Sequence, residues 1–256
     1  MDRFAGRRVV VTGATSGIGQ RAAAAFVREG ARVVMIGRNA AQLHADAAAW
    51  SREGQPVVPL AADLVDPEAR AGVAQRVLDA LGGVDVLVNA AGIIGFGTIE
   101  NTTHADWSHM MELNVTAPMD LTQRFVPALR ERPGCVVNVS SVTGLRSFPG
   151  VLAYSVSKAA VDQLTRCAAL ELAASGVRVN AVNPGVVVTG LHRTAGLDDG
   201  RYAAFLEHSR TTHPLGRVGT PDEVADLILF LASDAAAWIT GATMPVDGGR
   251  HLTCAR

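Results

Sequence analysis

Short runs rich in β-branched residues recur along this chain, separated by longer Ala-rich stretches, and this alternation restricts the fold more than any other feature. The runs are Arg8–Thr12, Arg32–Ile36, Val57–Ala61, Val84–Asn89, Cys135–Ser140 and Val177–Asn183, with Thr243–Val246 as a seventh candidate. Most are apolar almost throughout, the pattern expected of parallel strands covered on both faces. The intervening stretches Ile18–Glu29, Ala40–Glu53, Pro67–Leu81, His104–Arg130, Val151–Ala174 and Glu223–Leu231 read as helices. Two of them open on a cap followed by proline, Asp66-Pro67 and Thr220-Pro221. No linker, repeat or composition break divides residues 1–256. The expectation is a single α/β domain, a doubly wound parallel sheet with right-handed crossovers. The stretch from Gly185 to Gly219 departs from the alternation, with one helix expected at Asp199–Arg210. A long loop of this kind, leaving the carboxyl end of a sixth strand, is expected to be a substrate loop.

Composition narrows the function. A net charge of −1 without a Lys/Arg block argues against nucleic acid or an anionic membrane as partner. No apolar run reaches the roughly 20 residues that span a bilayer. The start runs straight into a strand, so no secretory segment is expected. Three cysteines, Cys135, Cys167 and Cys254, lack metal-ligand spacing and are expected to be buried thiols in a reducing cytoplasm. The seven histidines show no pairing with carboxylates, so no metal is expected; His192 and His213 are assigned solvent or core roles.

Lys158 is the only lysine, and Tyr154, four residues earlier, is one of two tyrosines. On a helix the two share a face. A free phenol titrates near 10, and a nearby cation lowers that by roughly 1–3 units, toward what a general acid–base group needs. The same spacing also occurs in ordinary helices with a surface lysine, so the pair by itself leaves both readings open. A second signal lies where the first strand meets the first helix. Thr12-Gly13-Ala14-Thr15-Ser16-Gly17-Ile18-Gly19 allows a tight turn that brings backbone amides and a helix N-terminus against a pyrophosphate.

Taken together, the Gly-x-x-x-Gly-Ile-Gly turn, Asn89-Ala90-Ala91-Gly92, Ser141, Tyr154/Lys158, Asn183-Pro184-Gly185 and Val246-Asp247-Gly248-Gly249 resemble the short-chain dehydrogenase/reductase family. The resemblance covers essentially the whole chain and extends to its bacterial 3-oxoacyl-carrier-protein reductases and alcohol dehydrogenases. One departure is Ala90, where the family commonly has a second Asn. The resemblance implies NAD(P)-dependent oxidoreduction of a small carbonyl or alcohol, with Asn114, Ser141, Tyr154 and Lys158 as catalytic residues. Asn114 would hold a water for proton relay, Ser141 would orient the carbonyl, and Lys158 would also bind the nicotinamide ribose. It further assigns Asp63 and Leu64 to adenine, Asn89, Ala90 and Gly92 to the adenosine ribose, and Pro184, Gly185, Val187 and Thr189 to the nicotinamide end. Pairing through two crossover helices into a homotetramer is implied as well, in keeping with the apolar surface of Val151–Ala174.

Two other classes use such a scaffold, epimerases or dehydratases and non-catalytic dinucleotide sensors. Chain length argues against the first, and the four catalytic positions together argue against the second. For the cofactor, an acidic residue ending strand two bonds the 2′-hydroxyl of NAD. Here that position is Gly37, followed by Arg38 and Asn39, so NADP is the expected preference and NAD use remains open. Ile93, Ile94, Phe96, Leu145, Phe148, Leu191 and Phe205 suggest an apolar substrate pocket. No basic pair on the loop clearly invites a phosphopantetheine carrier; Arg146 and Arg193 are the two candidates, and whether the substrate rides on an acyl carrier stays open. The substrate itself and the direction of reaction are not specified by the sequence.

Overall fold

A computed structural model of the chain describes residues 2–53, 55–191, 196 and 198–253. His192, Arg193 and Cys254 lie outside the described residues. Seven strands form one parallel sheet in the order β3-β2-β1-β4-β5-β6-β7. They are β1 (Arg8–Thr12), β2 (Arg32–Gly37), β3 (Val57–Ala61), β4 (Val86–Asn89), β5 (Cys135–Val139), β6 (Arg178–Pro184) and β7 (Thr243–Val246). The order reverses between β1 and β4, which opens a crevice at the carboxyl edge where such Rossmann-like sheets bind ligands.

Alternate residues of the strands feed two separate cores. Val9, Val11, Val33 and Met35 pack with Phe26 and Ile228 on one face, while Val10, Val34 and Ile36 pack with Val77 and Phe125 on the other. The helices that cover the sheet are α1 (Gly17–Arg28), α2 (Ala40–Trp50), α3 (Pro67–Leu81), α4 (His104–Met111), α5 (Ala117–Glu131), α6 (Val142–Leu145), α7 (Leu152–Leu172), α8 (Asp199–Thr212) and α9 (Pro221–Ala232). Among the described residues, no helix is long and apolar enough to cross a membrane.

Two expectations need correction, and one short helix carries no sequence signal. The helix expected over 104–130 is interrupted by a π-helical turn at Glu112–Thr116, which separates α4 from α5. Apolar periodicity does not register one inserted residue, and such bulges are frequent at functional sites. The short helix α6, four residues long, has no apolar period to mark it in the sequence. Cys167 is exposed, not buried, because it sits on the outward side of α7; Cys135 is buried as expected.

Candidate active site

A cavity of about 940 Å³ runs along the carboxyl ends of the strands. Its wall includes Gly13, Thr15, Ser16, Gly17, Ile18 and Gly19 from the first turn, then Gly37, Arg38, Asp63, Leu64, Ala90 and Gly92. Ser141, Tyr154, Lys158, Pro184, Gly185, Val187 and Thr189 line it as well. Asn39, Asn89 and Asn114 do not reach the wall. Asn39 caps α2, accepting from the Gln42 amide at 3.1 Å. Asn89 is buried between strands, its amide donating to Asn138 Oδ1 at 2.9 Å, and Asn138 donates in turn to Thr165 Oγ1. A strand-end Asn can face either layer, and the buried ladder decides it here.

The first turn fits a pyrophosphate. Gly13 has φ +65°, and a Cβ there would lie 2.7 Å from the Ala91 amide nitrogen. Gly19 packs against the Gly13 carbonyl so closely that no side chain has room. Thr12 Oγ1 accepts from the amides of Ala90 and Ala91 at 3.0 Å each, so the ends of β1 and β4 form one floor. The N-terminus of α1 has no side-chain cap and no acid in its first turn, whereas Asn39, Asp66, Asp198 and Thr220 cap α2, α3, α8 and α9. Uncapped amides and the positive end of a 12-residue helix suit an anion.

The catalytic candidates converge from β5 and α7. Ser141 begins α6, its Oγ accepting from the Thr143 amide at 3.1 Å. Gly144 lets α6 lie directly on the backbone of Lys158 and on Asp162, which sets Ser141 beside Tyr154. The Tyr154 ring is buried against Met110 and Ala153, with Ile93, Ile94, Trp107 and Val151 around them. Lys158 Nζ lies 5.7 Å from the Tyr154 ring centroid and donates to the Val139 carbonyl at 2.8 Å.

Electrostatics differ here from the expected depression of the phenol. Burial pushes the Tyr154 hydroxyl above its ordinary value, and the hydrogen bond with Ser141 pulls the other way. Desolvation wins because the ammonium points at a carbonyl rather than at the phenol oxygen. The same burial lowers Lys158 to about 8, against the opposing pull of Asp162. Lys158 therefore carries its charge at pH 7, at a cost to folding.

That cost has a testable sign. The folded pKa lies below the unfolded 10.5, so between pH 8 and 10.5 the unfolded chain binds more protons than the folded one. Stability contributed at this position rises with pH across that window. At about 1.4 kcal/mol per unit, the gain is roughly 3 kcal/mol. Unfolding free energies from urea titrations of wild type and Lys158→Met, compared from pH 7 to 10.5, are expected to shift in favour of wild type by that amount; a pH-independent difference would refute it.

Asn114 stands one layer behind the wall, inside the π-helical turn. Its Oδ1 accepts from the Ile93 amide at 2.9 Å, and its Nδ2 donates to the Ile93 carbonyl and Ser157 Oγ at 3.0 Å each. It thus ties the segment after β4 to α7, which accounts for an Asn in mid-helix. Three residues that hold the site were not singled out in this role from the sequence. Asp162, one turn beyond Lys158, accepts from Asn183 Nδ2 at 3.1 and 3.0 Å and joins α7 to β6. An acid four residues past the lysine was its available signal. His213 is buried, a core role; its Nε2 accepts from the Val186 amide at 3.1 Å while Nδ1 meets the Ser209 carbonyl at 2.6 Å. It fastens the end of α8 to the strand-six loop. Arg70 binds the carbonyls of Leu64 and Val65 as well as Glu112 and Asp120. None of these distant partners can be inferred from local spacing.

Residues 13–251 match a family model described as enoyl-(acyl carrier protein) reductase. The chain is 37% identical to the 3-oxoacyl-[acyl-carrier-protein] reductase FabG of Thermotoga maritima, covering 96% of this chain and 98% of that protein. It is 38% identical to the 2,3-dihydro-2,3-dihydroxybenzoate dehydrogenase of Escherichia coli, covering 97% and 98%. A crystal structure of a short-chain dehydrogenase/reductase of unknown function from Caenorhabditis elegans, with cofactor, superposes with a TM-score of 0.93 at 34% identity, covering 98% of this chain and 97% of that one. With the same fold over nearly its full length, the chain belongs to the short-chain dehydrogenase/reductase family of NAD(P)-dependent oxidoreductases.

Proposed function

We propose that this enzyme interconverts a carbonyl compound and the corresponding secondary alcohol in the cytoplasm, with NADP(H) as cofactor and Tyr154 as general acid/base. The observation that carries the reading is that Ser141, Tyr154 and Lys158 line the same cavity as the uncapped α1 cradle. Held by the first turn and by Lys158, the nicotinamide would supply a hydride to the carbonyl carbon or take one from the carbinol. The Tyr154 hydroxyl gives its proton to the developing alkoxide, or takes one from the alcohol in the reverse direction. Ser141 hydrogen-bonds the same oxygen, where a preorganised donor acts most strongly in the transition state. The Lys158 ammonium, 5.7 Å from the Tyr154 ring centroid, adds positive charge near the developing alkoxide without depressing the phenol at rest. The similarity to a 3-oxoacyl-[acyl-carrier-protein] reductase and a 2,3-dihydro-2,3-dihydroxybenzoate dehydrogenase supports the class of substrate. Following nicotinamide absorbance across a panel of ketones and secondary alcohols tests the proposal; no turnover with any of them would refute it. The accompanying assembly is a homotetramer, supported by the outward Val156, Ala159, Cys167 and Leu170 on α7, and a monomeric native mass at micromolar concentration would overturn it.

The NADP preference rests on Arg38. It is exposed at the cavity wall directly after β2, which ends in Gly37 without a carboxylate. One charge-assisted hydrogen bond from its guanidinium to a 2′-phosphate contributes roughly 1.5–3 kcal/mol, or about tenfold to 150-fold in kcat/KM. Equal values for the two cofactors, or higher values with NAD, would refute the assignment. Reversing it takes three substitutions, because a Cβ at Gly37 would lie 2.6 Å from Thr15 Cγ2. Thr15→Ser relieves that clash, Gly37→Asp supplies the ribose acceptor, and Arg38→Leu removes the phosphate partner. The triple variant is expected to favour NAD.

A further inference from the structure

The far end of the cavity holds a cation that neither the fold nor the chemistry above requires. Arg250 lies just past β7, in a short 3-10 turn after Gly249, and its side chain is part of the cavity wall. The guanidinium stacks on the Phe148 ring, with Cζ 4.9 Å from the centroid. Nη1 makes long hydrogen bonds to the Thr212 carbonyl, 3.3 Å, and to Thr253 Oγ1, 3.4 Å. Among the described residues no carboxylate pairs with it. The acid nearest in sequence, Asp247, is buried and already engaged, one oxygen accepting from the Gly249 amide and the other from the amide and ring of His251. Arg146 stands close enough to repel it, and is itself fixed on the His251 carbonyl at 3.0 Å. Burial and that repulsion press on Arg250's charged form, and the attraction of Asp247 offsets them only in part. A half-buried guanidinium kept beside a second arginine, with donors left over, is a costly arrangement unless an anion completes it.

Position in the sheet argues against the cofactor's phosphates as that anion. Arg38 follows β2 and the pyrophosphate cradle follows β1, whereas Arg250 follows β7. At about 4.8 Å per strand the strand ends these segments follow are five and four spacings apart, roughly 24 and 19 Å. Phe148, by contrast, belongs to the segment joining Ser141 to Tyr154, and Thr212 ends the helix of the substrate loop. Arg250 therefore bridges the two elements that enclose the reacting oxygen.

We propose that Arg250 binds an oxyanion on the substrate, so that the preferred substrates are keto acids or hydroxy acids rather than neutral ketones and alcohols. The proposal rests on the carbonyl-reductase reading and specifies its substrate class. The planar fork on the Phe148 face suits a carboxylate; a sulfonate or phosphonate presents the same chemistry. The test compares a keto acid with its methyl ester, alongside the matching sulfonate and phosphonate, on wild type, Arg250→Met and Arg250→Lys. In wild type kcat/KM for the acid is expected to exceed that for the ester by about tenfold to 150-fold, mostly through KM. Arg250→Met is expected to collapse that ratio, and Arg250→Lys to restore part of it. The three acids, ranked by kcat/KM, identify the anion. Calorimetric binding of the keto acid to the NADP⁺-loaded protein reads the same contact without turnover, so failure of the chemistry and failure of this contact are separable. An acid-to-ester ratio near one in wild type, or a ratio or binding constant unchanged in Arg250→Met, would overturn the proposal.

Discussion

Tyr154→Phe is expected to lower kcat by about 10²–10⁴-fold, the contribution of a positioned general acid or base, while leaving the cofactor dissociation constant nearly unchanged. Only the hydroxyl is removed. The ring keeps its packing against Met110 and Ala153, so the wall that faces the cofactor holds its shape. Without the hydroxyl, the developing alkoxide has Ser141 as a hydrogen-bond donor but no group placed to transfer a proton. Lys158→Ala should differ in kind, damaging both turnover and cofactor affinity, because that side chain lies between Tyr154 and the Val139 carbonyl. Stopped-flow and equilibrium titration of both variants separate the two patterns. A Tyr154→Phe enzyme with more than about a tenth of wild-type turnover would show that another group moves the proton.

Arg70→Ala is expected to destabilise the fold by about 3–5 kcal/mol, the range for removing one member of a buried ion-pair network. The Arg70 side chain is 3% exposed and bonds Glu112 Oε1 and Asp120 Oδ2 at 2.7 Å each. It also donates to the carbonyls of Leu64 at 2.7 Å and Val65 at 3.1 Å. Its loss leaves two carbonyls without a donor and two carboxylates close together, with Asp120 retaining only its more exposed partner Arg124. Against a typical total of roughly 5–15 kcal/mol the loss is large. Because Leu64 belongs to the cavity wall and Glu112 opens the π-helical turn that holds Asn114, cofactor affinity should weaken as well. Urea unfolding with an unchanged m-value measures the first effect; a loss below about 1 kcal/mol would mean that water replaces the guanidinium.

The sequence alone determined the sheet, because its information is local and periodic. Apolar runs at β1, β2 and β5 cannot stand at a half-exposed surface, and the crossover helices between them leave a parallel arrangement as the solution. Gly13 and Gly19 were equally legible, since turn geometry and close packing tolerate little else there. So was the Tyr154–Lys158 pair, whose four-residue spacing fixes its face on a helix. What the tertiary structure decided are the properties that depend on partners distant in sequence. The direction of the Tyr154 shift follows from how deeply the whole fold buries it, which outweighs the hydrogen bond from Ser141. Asn114 and Asn89 bond to other elements instead of the cavity because their neighbours, Ile93 and Ser157 for one and Asn138 for the other, are set by how the layers pack. The role of Arg250 depends on Phe148, Thr212 and Arg146, more than a hundred residues away in two cases, brought together by the last strand of the sheet. Spacing within an element is written in the chain; the electrostatics of a site are written in its packing.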